Sequence, residues 1–222
     1  MFTPTATMLT RFFAFLLPLM MAFWASAAQA DGLSALEIFL RQTQQGQTPF
    51  TQTVTAPRKD GEPAPRARVS RGSFEFQRPD RFRFVYTHPF EQTIVADGQS
   101  LWFYDVDLNQ VTVSAQQAVL AQTPAALIAA SPDLRALREA FDLRNGPNAD
   151  GLVWVVATPR QREGTLQSIQ LGFHQGQLVV LDILDSFGQR SVMQFEAMDT
   201  QVRFAPGHFR FDPPAGADVI RQ

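Results

Sequence analysis

The chain of 222 residues contains no cysteine. That absence excludes a disulfide framework, a thiol nucleophile, thiolate metal ligation and an acylated cysteine anchor. Lysine is almost missing too. Lys59 is the only one, and the arginines are scattered without forming a stripe; with a formal net charge of −2 there is no basic footprint for nucleic acid. No Gly-x-Ser-x-Gly elbow, His-Glu-x-x-His pair or glycine-rich phosphate loop occurs, and His88, His174 and His208 lie far apart, each beside a turn or strand end. The chain therefore reads as a non-enzyme that needs no metal or cofactor. One metal-like string, Asp105-Val106-Asp107-Leu108-Asn109, begins like a calcium loop. It has Gln110 where glycine is required and Gln116 where a bidentate glutamate should fall, so it reads as a hairpin turn with Asx bonding.

What the sequence does contain begins with a leader. After Arg11, an apolar run from Phe12 to Ala25 spans only fourteen residues, is interrupted by Pro18, and leads to Ala28-Gln29-Ala30 just before Asp31. A membrane-spanning helix needs about 20 apolar residues, so residues 1–30 are expected to be a cleaved secretory signal. The expected mature chain, 31–222, is one unanchored extracytoplasmic domain, large enough to form its own core. Arg11 is the only charged residue in the leader, so the formal charge becomes −3 without it. Most of the twenty phenylalanines follow the leader, whereas Tyr86 and Tyr104 are the only tyrosines. Much purely apolar aromatic surface must be hidden, in a core or around a ligand.

Periodicity predicts a first helix with Ser34 and Glu37 as a capping box, Leu36, Phe39 and Leu40 as its apolar stripe, and Gly46 as its stop. The period then changes to two. Strands are expected at 50–55, 70–77, 81–87, 92–96, 100–105 and 110–114, with the proline-rich stretch from Arg58 to Pro65 as a loop and Asp97-Gly98 as a turn. Thr123-Pro124 and Ser131-Pro132 each place an N-cap before a proline at the first helical position, opening a short apolar helix, Pro124 to Ala130, and a second helix, Pro132 to Phe141. A weaker helical pattern covers 115–120. Further strands are expected at 151–158, 166–174, 177–185, 189–198 and 208–212. About eleven closely spaced strands imply an antiparallel sheet.

Several strands are apolar on both faces, as in Leu101-Trp102-Phe103-Tyr104, Leu152-Val153-Trp154-Val155-Val156 and Leu178-Val179-Val180-Leu181. Something must cover each face. A curved sheet wrapped around an interior, with helices over the open side, would use them all. The stretch Pro124-Ala125-Ala126-Leu127-Ile128-Ala129-Ala130 has almost no polar face and suits such a cover.

Four segments carry a resemblance. These are Phe50-Thr51-Gln52, then Gly72-Ser73-Phe74-Glu75-Phe76-Gln77-Arg78-Pro79-Asp80-Arg81-Phe82, then Asp97-Gly98-Gln99-Ser100-Leu101-Trp102-Phe103-Tyr104, and Thr123-Pro124 with Leu127-Ile128-Ala129. In this order, and continuing to Phe209-Arg210-Phe211-Asp212-Pro213-Pro214, they resemble the LolA family of periplasmic outer-membrane lipoprotein carriers. The resemblance implies an incomplete antiparallel half-barrel with helices as a lid over an apolar concave face. It also implies that the protein receives triacylated lipoproteins from an inner-membrane ABC exporter, crosses the periplasm as a monomer, and delivers them to an outer-membrane receptor of LolB type.

By the same resemblance, Arg78 is the lid latch, bonded to the main-chain carbonyls of Ile128, Ala129 and Leu40. Phe82 matches an aromatic at the exporter-docking rim, although core packing explains it equally. Pattern alone assigns Leu33, Phe39, Phe74, Phe84, Trp102, Leu127 and Trp154 to an acyl-chain cavity. Other classes stay open: a lipid-binding or lipoprotein-sensing module of the same fold, and a lipid hydrolase, against which the missing nucleophile motif argues. The anchored receptor LolB would carry a cysteine after its leader, and this chain has none.

Overall fold

Asp31 opens the first helix, since its carboxylate accepts the backbone N–H of Ser34 at 2.7 Å. The computed structural model describes residues 31–58, 61, 63–117, 131, 133–161 and 164–222. Helix α1 (Gly32–Gln42) is followed by β1 (Gln45–Thr55), β2 (Arg68–Gln77), β3 (Arg81–His88), β4 (Gln92–Asp97), β5 (Ser100–Asp105) and β6 (Gln110–Ala115). Helix α2 (Leu134–Ala140) then leads into β7 (Phe141–Asn145), β8 (Val153–Pro159), β9 (Leu166–His174), β10 (Gln177–Asp185), β11 (Arg190–Phe195) and β12 (Asp218–Arg221). The expected leader, the short helix at 124–130 and residues 118–120 of the pattern at 115–120 lie outside the described residues.

The twelve strands form one sheet in the order β12-β6-β5-β4-β3-β2-β1-β11-β10-β9-β8-β7. Neighbours pair antiparallel except β12, which runs parallel to β6. The edges, β12 and β7, do not meet, so the barrel stays open. Its curvature follows from one ring. Phe39 of α1 lies 6.4 Å from Phe76 on β2 and 5.9 Å from Phe173 on β9. Those strands stand four steps apart, about 19 Å in a flat sheet at the usual spacing. The sheet must wrap around the helix to bring them this close.

Alternation then separates two faces. Phe74, Phe76, Phe82, Phe84, Ala96, Val155, Leu171, Leu181, Met193 and Phe195 point inward to meet Ala35, Leu36, Phe39 and Leu40 of α1. The row Glu75, Arg83, Val95 and Trp102, aligned across β2, β3, β4 and β5, points outward. The segment 199–217 covers part of this outer face. Phe209 is buried there, Phe211 packs on Trp102 and Tyr104, and His208 pairs with Glu75 at 2.7 Å. The core around α1 on one side and the C-terminal strap on the other explain why β5 carries apolar residues on both faces.

Local chemistry accounts for the places where the sequence misleads. Asp31, not Ser34, caps α1, so the helix starts a turn earlier than the capping box suggests. Asp133, not Ser131, caps α2 by accepting Ala136 N–H at 2.8 Å. Phe141 is the extended first residue of β7, paired with Pro159, and does not end the helix. The expected strand at 208–212 is a turn, held by Arg210 N–H donating to the Gly207 carbonyl, and the last strand lies at β12 instead. The Asp97-Gly98 turn forms as expected. Burial pushes the Asp97 carboxyl up, but bonds from Ser100 N–H, Trp102 Nε1–H and Gln99 N–H outweigh it and hold it below the ordinary range.

Gly72 sits at an irregularity in the β2–β3 pairing, where an added Cβ would stand 2.0 Å from the Val85 carbonyl oxygen. Backbone cannot yield as a flexible side chain can. Gly72→Ala should therefore lower unfolding free energy by about 3 kcal/mol, read as a reduced midpoint in urea titration; an unchanged midpoint would show that the two strands can part there without loss.

Candidate functional site

The turn between β2 and β3 carries Arg78, and the chain brings three elements to it. The side chain is only 7% exposed. Its Nε donates to the Thr43 carbonyl at 2.9 Å, just past the end of α1, and its Nη1 donates to the Ser131 carbonyl at 2.6 Å. The Arg78 backbone N–H donates to the Gln44 carbonyl at 2.8 Å. The guanidinium lies over two rings, 5.5 Å from Phe39 and 5.1 Å from Phe76. Burial lowers its pKa to about 10, which still leaves it fully charged at neutral pH. A cation held by carbonyls at the end of a helix is favourably placed, because that end carries unpaired acceptors and partial negative charge.

Of the three acceptors that the resemblance implies for Arg78, only Leu40 is among the described residues. On the first helix Arg78 reaches Thr43; the Leu40 carbonyl accepts Gln44 Nε2 at 3.2 Å instead. Ile128 and Ala129 lie outside the described residues, as does Leu127. Ser131, the partner that sequence reasoning missed, directly follows the segment where the short apolar helix is expected. Arg78 thus ties the β2–β3 turn to the end of α1 and to the chain leaving that segment.

Beneath the clasp lies the inward phenylalanine surface. Phe74 stacks on Phe84 at 4.4 Å and on Phe76 at 5.6 Å, while Phe50 meets Phe84 and Tyr86 edge to face at 5.8 and 5.1 Å. Burial in these apolar surroundings pushes the Tyr86 phenol up to about 12. Phe39, Phe74 and Phe84 belong to this cluster, and Leu33 packs against it. The two tryptophans do not. Trp102 bonds Asp97 through Nε1 at 3.0 Å and packs on Phe211; Trp154 bonds the Ala149 carbonyl at 3.3 Å and packs over Gly172. Both stand on the outer face, because their neighbours Leu101, Val153 and Val155 take the inward positions.

Phe82 is fully buried, 6.0 Å from Phe84. It offers no surface to a docking partner, so the rim expectation gives way to core packing. The outer face has a groove of its own, about 450 Å³, lined by Gln77, Arg81, Asp97, Phe204, His208 and Arg210 among others. Its charged groups are already engaged: Arg81 with Gln77, Arg210 with Asp212, His208 with Glu75 and Asp97 with its own turn. Among the described residues no group of three His, Asp or Glu could hold a metal, and no helix is long and apolar enough to cross a membrane.

The sequence profile of the family described as "Outer membrane lipoprotein carrier protein LolA" matches residues 41–212. The chain belongs to the LolA family. Relatives named "Outer-membrane lipoprotein carrier protein" agree along nearly the whole length. One from Albidiferax ferrireducens is 56% identical over 205 residues, covering 90% of this chain and 96% of that protein. One from Leptothrix cholodnii is 47% identical, covering 90% of each, and one from Neisseria meningitidis is 35% identical, covering 88% of this chain and 89% of its own. LolA-family proteins bind and carry; they are not enzymes. An open sheet with helix α1 over its inward face is the fold on which this member does so.

Proposed function

We propose that this chain is a soluble periplasmic carrier of acylated lipoproteins. Residues 1–30 serve as the export signal, and 31–222 form the single carrier domain. It takes its cargo from an inner-membrane ABC exporter, shelters the acyl chains against the inward phenylalanine face, and passes them to an outer-membrane receptor. The observation that carries this reading is the Arg78 clasp over that face. Each methylene left in water costs about 0.8 kcal/mol, so one long acyl chain costs on the order of 10 kcal/mol. Free diffusion of a lipoprotein is forbidden by that figure, and shielding is essential. Large apolar rings shield chains without reading their detail.

Release needs a second device, because a cavity that only binds never delivers. The two charge-assisted bonds to backbone carbonyls among the described residues, each contributing about 1.5 to 3 kcal/mol, favour the closed, empty state once cargo leaves. Their sum is large enough to bias closure and small enough to be broken by loading. Mass spectrometry of the protein purified from periplasm tests the reading directly. Co-purifying acylated proteins are expected. Free phospholipid alone would favour a lipid shuttle, and no apolar cargo would favour a sensing module.

A further inference from the structure

Five polar or charged side chains are buried among the described residues, and three of them, Arg78, Gln116 and Ser131, gather at the turn between β2 and β3. Arg78 and Ser131 form the clasp itself; Gln116 does not. It stands immediately past β6 and is only 2% exposed. A side chain needed there for packing alone would be leucine or methionine, because a buried carboxamide is costly unless its hydrogen bonds are made. Both ends of this one are engaged. Its Oε1 accepts the Gly98 N–H at 3.0 Å, and its Nε2 donates to the Asp80 carbonyl at 2.7 Å. The reversed amide would satisfy neither partner, since an N–H needs the oxygen and a carbonyl needs the nitrogen.

The two partners belong to different turns. Gly98 lies in the β4–β5 turn, which is cross-braced: the Asp97 carboxylate accepts Gln99 N–H, Ser100 N–H and Trp102 Nε1–H, and the Gln116 N–H donates to the Gln99 carbonyl at 2.9 Å. Asp80 lies in the turn that carries Arg78, and the pairing of Arg81 with Asp97 sets the two turns side by side. Asp80 has a φ of 63°, a left-handed conformation that non-glycine residues adopt at a cost. The Arg78 side chain does not hold its own turn, since it reaches away to Thr43 and Ser131. The turn is held from its two ends instead, at Arg78 by the backbone bond to Gln44 and at Asp80 by Gln116. The first hold leads to the neighbour of Thr43, an acceptor that an opening clasp must release. The second leads to a braced turn that supplies neither acceptor.

We propose that Gln116 is a positioning residue for release: it keeps the Arg78 turn in its closed-state shape while the clasp is open, so that the guanidinium meets Thr43 and Ser131 again once cargo leaves. This role rests on the release function proposed for Arg78. Its physical basis is preorganisation, because a turn fixed beforehand loses less conformational freedom when the two carbonyls are regained.

A double-mutant cycle with Arg78 is the test, run in a reconstituted transfer assay with a triacylated lipoprotein as cargo. Gln116→Met keeps the length of the side chain and neither bond. Gln116→Glu keeps an acceptor for Gly98 and, when ionised, offers Asp80 no donor. Each should load normally and deliver about tenfold more slowly, as loss of a buried hydrogen bond implies. In the Arg78→Leu background the same substitutions should slow delivery no further, because no guanidinium is left to place. A glutamine that only supports the fold would behave otherwise: loading and delivery would fall together, and the losses would multiply. Equal slowing in both backgrounds, or wild-type delivery by Gln116→Met, overturns the proposal; wild-type delivery by Arg78→Leu overturns the reading beneath it. A second measurement needs no variant. In hydrogen exchange followed by NMR, the Arg78 Nε–H should lose protection when the lipoprotein loads while the Gln116 side-chain amide keeps it. Loss of protection at both would show that the glutamine opens with the clasp and holds nothing in place.

Discussion

Arg78→Leu should accept lipoprotein and fail to hand it on. Leucine fills part of the space between Phe39 and Phe76, so the fold should persist, but the Thr43 and Ser131 carbonyls lose their charged donor. In the proposed cycle the closed state then forfeits about 3 to 6 kcal/mol from the two charge-assisted bonds among the described residues, whereas the loaded state, with the clasp open, forfeits little. Loading becomes nearly irreversible. In a reconstituted transfer assay the variant should bind cargo normally and deliver it at least about a hundredfold more slowly, following the lower end of that range. Arg78→Lys separates charge from shape. A lysine offers a point charge without the planar fork, so it should restore delivery only in part. Normal transfer by the leucine variant would remove Arg78 from the release mechanism.

Phe82→Glu should prevent folding. The ring is fully buried and packs on Phe84, with Phe76 and Ala96 beside it across the sheet. Truncating such a ring costs about 3 to 5 kcal/mol, and a carboxylate in its place adds the penalty of an unpaired polar group in an apolar site. Domains of this size have about 5 to 15 kcal/mol in total. The variant should lose its native circular-dichroism signal, while Phe82→Leu, which keeps the site apolar, should fold with reduced stability. A folded Phe82→Glu protein defective only in loading would restore the docking-rim interpretation that the buried position contradicts.

Turn chemistry made much of this fold legible. Asp97-Gly98, Gln175-Gly176 and Phe187-Gly188 mark hairpins through residues whose backbone demands are local, and glycine at 98, 176 and 188 does adopt positive φ. The alternation on β2 and β3 likewise identifies their inward phenylalanines without outside help. Other features depended on partners distant in sequence. Phe141 continues the helical pattern of α2 yet becomes strand because Pro159 pairs with it. In Leu101-Trp102-Phe103-Tyr104 both alternating sets are apolar, so local pattern does not distinguish the inward one; the decision comes from Phe211, more than a hundred residues later. Arg78 is singled out by the family resemblance and not by local pattern; its acceptors are backbone carbonyls, and any residue type can supply a carbonyl. Only the length of α1 and the path of the returning chain select Thr43 and Ser131.

Carriage of the proposed kind requires acyl chains to lie against the inward face and not the outer one, and two positions separate these directly. Tyr86 is inward, between Phe50 and Phe84, and Trp102 is outward, under Phe211. Each can be replaced by photoreactive benzoylphenylalanine, loaded with a triacylated lipoprotein, irradiated, and analysed for acyl-linked adducts. Adducts from position 86 and none from position 102 are expected; adducts from 102 alone, or equally from both, would mean that the inward phenylalanine face is not where the lipid is sheltered.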